Sequence, residues 1–202
     1  MNYNMLDNVN GFQIKQQRQY LESFTGFEEA NSYAITDAGG QPIFAAKEEG
    51  SGFLSRFFLK NNRPFTINLY TPNGQKVLEF GRKFAFIRHR LDVVDSESGS
   101  AIGAVKWKFS VVRKKFEIID ETEAHKYLLQ TSPLSPWTFT IKNQYEQKIG
   151  TMAKKWTGLG LEMFTTSDNF GIKLDVDIPN KDKALLMGAV ILADFIHFED
   201  KD

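Results

Sequence analysis

The stretch KALLMGAVILADFIHFEDKD, Lys183–Asp202, decides how the rest of the chain is read. From Ala184 to Phe198 it is almost continuous hydrocarbon, and Leu185, Met187, Val190, Ile191, Phe195 and Phe198 between them cover every side of a helix. A helix apolar all round belongs in a protein interior or in lipid. Fifteen residues at ~1.5 Å each reach about 22 Å, short of the ~30 Å a span must cross. Asp194 and His197 also lie within the run, and an ionised Asp at the bilayer centre costs ~2.5–3.5 kcal/mol. Three residues apart, those two share a face and can satisfy one another. The helix is therefore expected inside the protein, over about 182–199, with Leu186, Val190, Asp194 and Phe195 as candidate core positions. Pro179 and Asn180 are its start signals, and Asp182 stands near the positive end of its dipole.

Such a helix needs a sleeve, and the preceding sequence supplies one. SYAITDAGGQPIFAAKE is an alternating apolar run, a turn cluster and a second run. FTINLYTPNGQKVLEFG repeats the scheme around Asn73-Gly74, a dipeptide that tolerates the positive φ of a tight hairpin. LDVVDSESGSAIGAVKW, FEIIDETEAHKYLLQTS, FTIKNQYEQKIGTMAKKW and LEMFTTSDNFGIKLDVD follow in the same form. Six hairpins give about twelve strands. A sheet that wide should close on itself to remove its edges, and its interior is too broad for strand side chains alone to fill. The expected architecture is mainly β: a closed antiparallel barrel of about twelve strands around the C-terminal helix. One domain covers 1–202, with a lead-in over about 1–30 and barrel hairpins over about 31–178.

Composition narrows the chemistry. Acidic and basic residues balance at 25 each, so no global field recruits nucleic acid, and any anion binding must come from a local patch. The absence of cysteine removes disulfides, thiol catalysis, thiolate metal ligands and palmitoylation. The start, MNYNMLDNVNGFQIKQQRQY, has neither a basic nor an apolar segment of a signal peptide, so a cytoplasmic protein, peripheral at a membrane, is expected. His89, His125 and His197 are far apart with no HxH or HExxH spacing, and no GxSxG, P-loop or GxGxxG occurs, so no conventional catalytic site is expected.

The stretch GTMAKKWTGLGLEMFTTSDNFGIKLDVDIPNKDKALLMGAVILADFIHFED closely resembles the C-terminal part of phospholipid scramblases. Lys155-Trp156-Thr157-Gly158, Asp168 to Ile172, and the helix from Gly188-Ala189 to Asp194-Phe195 carry the likeness most specifically. QQRQYLESFTGFEEANSYAITDAGGQPIFAAKE and RPFTINLYTPNGQKV resemble the same family, so the likeness runs over about residues 4–199. It implies the tubby-like, LURP-one-related fold, a twelve-stranded barrel around a hydrophobic C-terminal helix. It also implies ATP-independent movement of phospholipid between leaflets, promoted by calcium in eukaryotic members, whereas related tubby-like proteins bind phosphoinositide headgroups. The chain departs from the family pattern in having no Pro-rich arm and no cysteine cluster in FGRKFAFIRHRLDVV. Where the family's calcium loop opens with Asp, this chain has Thr166; Asp168 and Asp177 match family acids and Asp175 is an addition. Calcium prefers six to eight oxygens, so Asp168, Asp175 and Asp177 are calcium candidates in what otherwise reads as a polar hairpin turn.

Two basic aromatic stretches remain, RKFAFIRHR and VKWKFSVVRKKF. On a strand Lys106 and Lys108 point one way while Val105, Trp107 and Phe109 point the other, and Arg113, Lys114 and Lys115 cluster at a turn. These five cations are the candidate sites for anionic phospholipid headgroups; their alternative role is a solvated face balanced by Asp and Glu. A phospholipid surface is the expected partner, nucleic acid is not, and no protein partner is indicated. Three functions stay open: a scramblase, a headgroup-binding adaptor of tubby-like type, and an interaction scaffold.

Overall fold

Five strand ends carry the same device. Asp37 Oδ1 accepts the amides of Gly39 and Gln41, Asp120 Oδ1 those of Thr122 and Ala124, and Asn143 Oδ1 those of Tyr145 and Gln147. Asp95 Oδ1 accepts the Ser98 amide, and Thr71 Oγ1 the Gln75 amide. A short side chain that bonds its own turn replaces the ladder hydrogen bonds the strand has just lost, and so fixes hairpin register. At Asn73-Gly74 the glycine takes a φ of 80°, as the dipeptide implied.

A computed structural model describes residues 4–16, 32–49, 64–84, 89–154 and 169–197. Within them the strands are β1 (Gly11–Gln16), β2 (Ser32–Asp37), β3 (Pro42–Glu49), β4 (Phe65–Tyr70), β5 (Lys76–Arg82) and β6 (Arg90–Asp95). They continue with β7 (Ala101–Lys108), β8 (Lys115–Asp120), β9 (His125–Ser132), β10 (Ser135–Asn143), β11 (Lys148–Lys154) and β12 (Asn169–Leu174). The helix α1 spans Asn180–His197. Each strand pairs antiparallel with its chain neighbours, and β1 pairs with both β12 and β2, closing the barrel. The fold is the expected tubby-like barrel, with its strand count and its helix.

One strand differs in origin. The lead-in expected over 1–30 contains β1, which is one of the twelve strands among the described residues. Phe12 lies opposite Ile172 on one side and Asp37 on the other. The other neighbour of β12 is β11, in register from Gly150↔Leu174 to Lys154↔Phe170. The first half of the sixth hairpin, residues 161–166, lies outside the described residues.

The helix runs along the barrel axis. Every residue from Asp182 to Ala193 is buried, Leu186 and Val190 among them. Phe195 is buried too, its ring 4.6 Å from that of Phe65 at the start of β4. Asp194 is only half-buried and has partners of its own. The buried acid of the helix is instead Asp182, in the first turn. A barrel of this girth leaves an apolar void that only an all-round apolar helix can fill without stranding polar groups. Among the described residues no helix is long and apolar enough to cross a membrane.

The axis gives the barrel two distinct ends. The five tight turns and the N-terminus of α1 share one rim, where Lys181 reaches Glu121 at 3.2 Å. The connections β7–β8 and β9–β10 share the other, with the C-terminal turn of α1.

Candidate functional site

Strand β7 alternates as its sequence requires. Val105 faces the core, Lys106 and Lys108 face outward, and Trp107 is half-buried, edge-on to His89 with ring centroids 5.5 Å apart. Phe109 was expected inward. It is exposed instead, because β7 ends at Lys108 and the alternation stops with it.

The five candidate cations divide into two groups. Lys106 Nζ lies 2.5 Å from Glu123, which also takes Arg90 at 2.8 Å, and those two cations hold the Glu123 carboxyl below its usual range. Lys108 Nζ lies 2.6 Å from Glu117. Burial pushes the Glu117 carboxyl up, but Lys108 and then His125, 3.2 Å away, outweigh it and the net shift is downward. The balanced outer face is thus what Lys106 and Lys108 form. Arg113 and Lys115 have no ion pair among the described residues. Lys115 stands directly across the ladder from Lys108, so positive charge accumulates where β7 and β8 part. Lys114 is tied down: its amide donates to Thr131 Oγ1 at 3.1 Å, and its ammonium lies 4.3 Å from the centre of the Trp137 ring. This contact joins the β7–β8 connection to the start of β10.

Of the calcium candidates, the structure describes Asp175 and Asp177. Asp168 lies outside the described residues. Asp175 is 3.8 Å from Lys148, and Asp177 is 3.0 Å from Lys183, whose ammonium holds the Asp177 carboxyl below its usual range. Both carboxylates are exposed, and among the described residues no group of three His, Asp or Glu side chains could hold a metal. These two carboxylates, each facing an ammonium, do not by themselves supply the six to eight oxygens that calcium prefers.

Each end of α1 holds a buried polar cluster. At the N-terminal end the Tyr127 hydroxyl donates to Asp182 Oδ2 at 2.7 Å, and Lys126 lies 3.2 Å from the same oxygen. Burial, then the hydrogen bond and charge of Asp182, push the Tyr127 phenol well above its usual range. Lys183, fully enclosed, donates to the Leu6 carbonyl at 2.9 Å. At the C-terminal end the buried Arg82 guanidinium contacts His89 Nδ1 and lies 4.6 Å from the centre of the Phe195 ring. Sequence reasoning named Asp182 and His89 without their partners and missed Tyr127, Lys183 and Arg82, although Arg82 is in phase with Leu78 and Phe80 on β5 and so faces inward by simple alternation.

A closed twelve-stranded barrel filled by its C-terminal helix is the tubby-like architecture. The family model described as Scramblase matches residues 1–200, and the chain belongs to that family. It is 32% identical to phospholipid scramblase 1 of Homo sapiens over 96% of this chain and 64% of the relative. To phospholipid scramblase 2 of Bos taurus it is 30% identical, over 96% of this chain and 70% of the relative. To a phospholipid scramblase family protein of Schizosaccharomyces pombe it is 24% identical, over 92% and 58%. The chain thus spans about three fifths of the length of the human and fission-yeast relatives. An X-ray structure of a protein from Arabidopsis thaliana superposes with a TM-score of 0.53 at 13% identity, covering 92% of this chain and 91% of that one; the likeness is one of fold.

Proposed function

We propose that this chain acts at phospholipid bilayers and moves phospholipid between leaflets without ATP. The family match across residues 1–200 carries the reading, and relatives named as phospholipid scramblases support it. The fold adds a constraint. Because α1 and the strand side chains around it are buried, the described residues leave no lipid path along the barrel axis. Lipid is handled on the outer surface, or by a form in which α1 has left the barrel. Lys106 and Lys108 face carboxylates, so the cations best placed to meet headgroups are Arg113 and Lys115, with Lys114 beside them against Trp137.

A second reading, an adaptor that holds anionic headgroups without transport, is supported by one observation: the interior is filled, and Arg113 and Lys115, which have no ion pair among the described residues, lie outside it. Reconstitution with fluorescent phospholipid and an impermeant quencher separates the two. Transport predicts that quenching proceeds past the outer-leaflet fraction. Quenching that halts at that fraction, with and without calcium, while the protein still floats with anionic vesicles, leaves the adaptor.

A further inference from the structure

Among the described residues, four of the five most exposed large apolar side chains sit on two neighbouring connections. Leu134 is 95% exposed, Val111 88%, Phe109 75% and Val112 68%. The first belongs to the β9–β10 connection and the others to the β7–β8 connection. The two are held side by side, since the Thr131 amide donates to the Lys114 carbonyl at 3.1 Å while Thr131 Oγ1 accepts from the Lys114 amide. Aliphatic side chains left almost wholly in water at loop tips contribute nothing to the core, and contiguous exposed apolar groups mark a contact surface.

What surrounds them selects the occupant. No acidic residue occurs from Val105 to Phe116 or from His125 to Tyr145, so both segments are acid-free. Arg113 directly follows Val112, Lys115 opens β8, and Lys114 rests on Trp137, so exposed aliphatic groups, an amphipathic indole and cations share one rim. A bilayer presents the matching series of acyl chains, interface and anionic headgroups, with Trp favoured at the boundary and Lys and Arg at the charged surface.

We infer that the barrel docks on anionic bilayers by inserting the tips Val111, Val112 and Leu134 among the acyl chains, with Arg113, Lys114 and Lys115 at the headgroups. The docked rim is then the one at which α1 ends, while the tight turns and the Asp182 cluster face water. This rests on the bilayer reading above, but it concerns depth and orientation rather than transport.

The natural absence of cysteine makes the test direct. Val111→Cys, Leu134→Cys and, on the opposite rim, Tyr145→Cys each carry an environment-sensitive fluorophore. They are mixed with phosphatidylcholine vesicles with and without phosphatidylserine, and with acyl-chain quenchers. Insertion predicts a blue shift and acyl-chain quenching at 111 and 134 on anionic vesicles, with 145 unchanged. Replacing Val111, Val112 and Leu134 by Ser then weakens flotation by about tenfold or more. Vesicle binding with 111 and 134 still water-like would overturn insertion while leaving lipid binding intact. Absence of vesicle binding, or a shift at 111 that follows protein concentration without vesicles, overturns it as well; the latter assigns the tips to a contact between copies. Scrambling is read separately, so insertion without transport removes the proposed function and keeps this inference.

Discussion

The hydroxyl of Tyr127 donates to Asp182 Oδ2 at 2.7 Å, joining β9 to the first turn of the helix that fills the barrel. The contact spans 55 positions in sequence, and its carboxyl is fully buried. Tyr127→Phe removes the donor while keeping the ring, and should cost about 1.5–3 kcal/mol, the range for a hydrogen bond to a charged group. Because burial and Asp182 raise the phenol above its ordinary 10.0, the folded state binds this proton more tightly than the unfolded chain. The associated stability is complete below about pH 10 and declines as pH rises beyond it. Urea titrations at rising pH should show that decline in the native chain and lose it in Tyr127→Phe.

The opposite end of the helix responds to acid. Burial, helped by the neighbouring Arg82 guanidinium, lowers the His89 imidazole from 6.5 to about 4. Folded His89 is therefore neutral across a window in which the unfolded chain is protonated. The unfolded state binds more protons there, so stability is full above 6.5 and falls towards pH 4, by at most about 3 kcal/mol. Since Arg82 also faces Phe195, hydrogen exchange in the last turn of α1 should rise over the same interval. His89→Gln should flatten both profiles; an unchanged acid slope in that variant would detach the effect from His89.

Two glycines test how closely the helix is sleeved. A Cβ on Gly103 would lie 2.3 Å from the Ile119 carbonyl oxygen and 3.0 Å from Leu185 Cδ2, at a φ of 148°. Backbone cannot yield there, so Gly103→Ala should cost about 2 kcal/mol or more. A Cβ on Gly188 meets only side chains, Phe80 and Val93 at 3.3 Å and Leu91 at 3.4 Å. Its crowding is offset by about 1 kcal/mol of helix propensity, so Gly188→Ala should remain within about 1 kcal/mol of the native chain by thermal or urea unfolding.

These contacts mark what the sequence could reveal. The five chain-adjacent hairpins from β2 to β11 were legible because each is a local alternation around an Asp, Asn or Thr turn. The helix was legible because no solvent-exposed face could be drawn on it. β1 was not, since GFQIKQ has only Phe12 and Ile14 in phase and its partners are 160 or so and 20 or so positions away, as the register Phe12↔Ile172 and Ile14↔Ile35 records. The pairing of Lys108 with Glu117 lay within reach: once Lys108↔Lys115 is in register, Glu117 is two residues along β8 on the same face. Burial of Asp182 and Lys183 was not, because it depends on where the chain ends of a closed barrel come to rest.

The division of the cations gives a prediction that the patch alone would not. Arg113→Ala and Lys115→Ala remove charges that face no carboxylate among the described residues, so each should weaken binding to phosphatidylserine vesicles by about fivefold, with the unfolding midpoint unchanged. Lys106→Glu and Lys108→Glu act differently, because they set a carboxylate against Glu123 and Glu117. Exposed ion pairs are worth about 0–1 kcal/mol, and reversal adds repulsion of similar size, so these variants should lose stability before they lose lipid. Raising salt weakens the vesicle affinity of the native chain through screening, and that salt dependence should shrink in the Arg113→Ala, Lys115→Ala double variant. If instead Lys106→Glu abolishes flotation at full stability, headgroups displace Glu123 from Lys106, and the contact surface extends along β7 rather than ending at its tip.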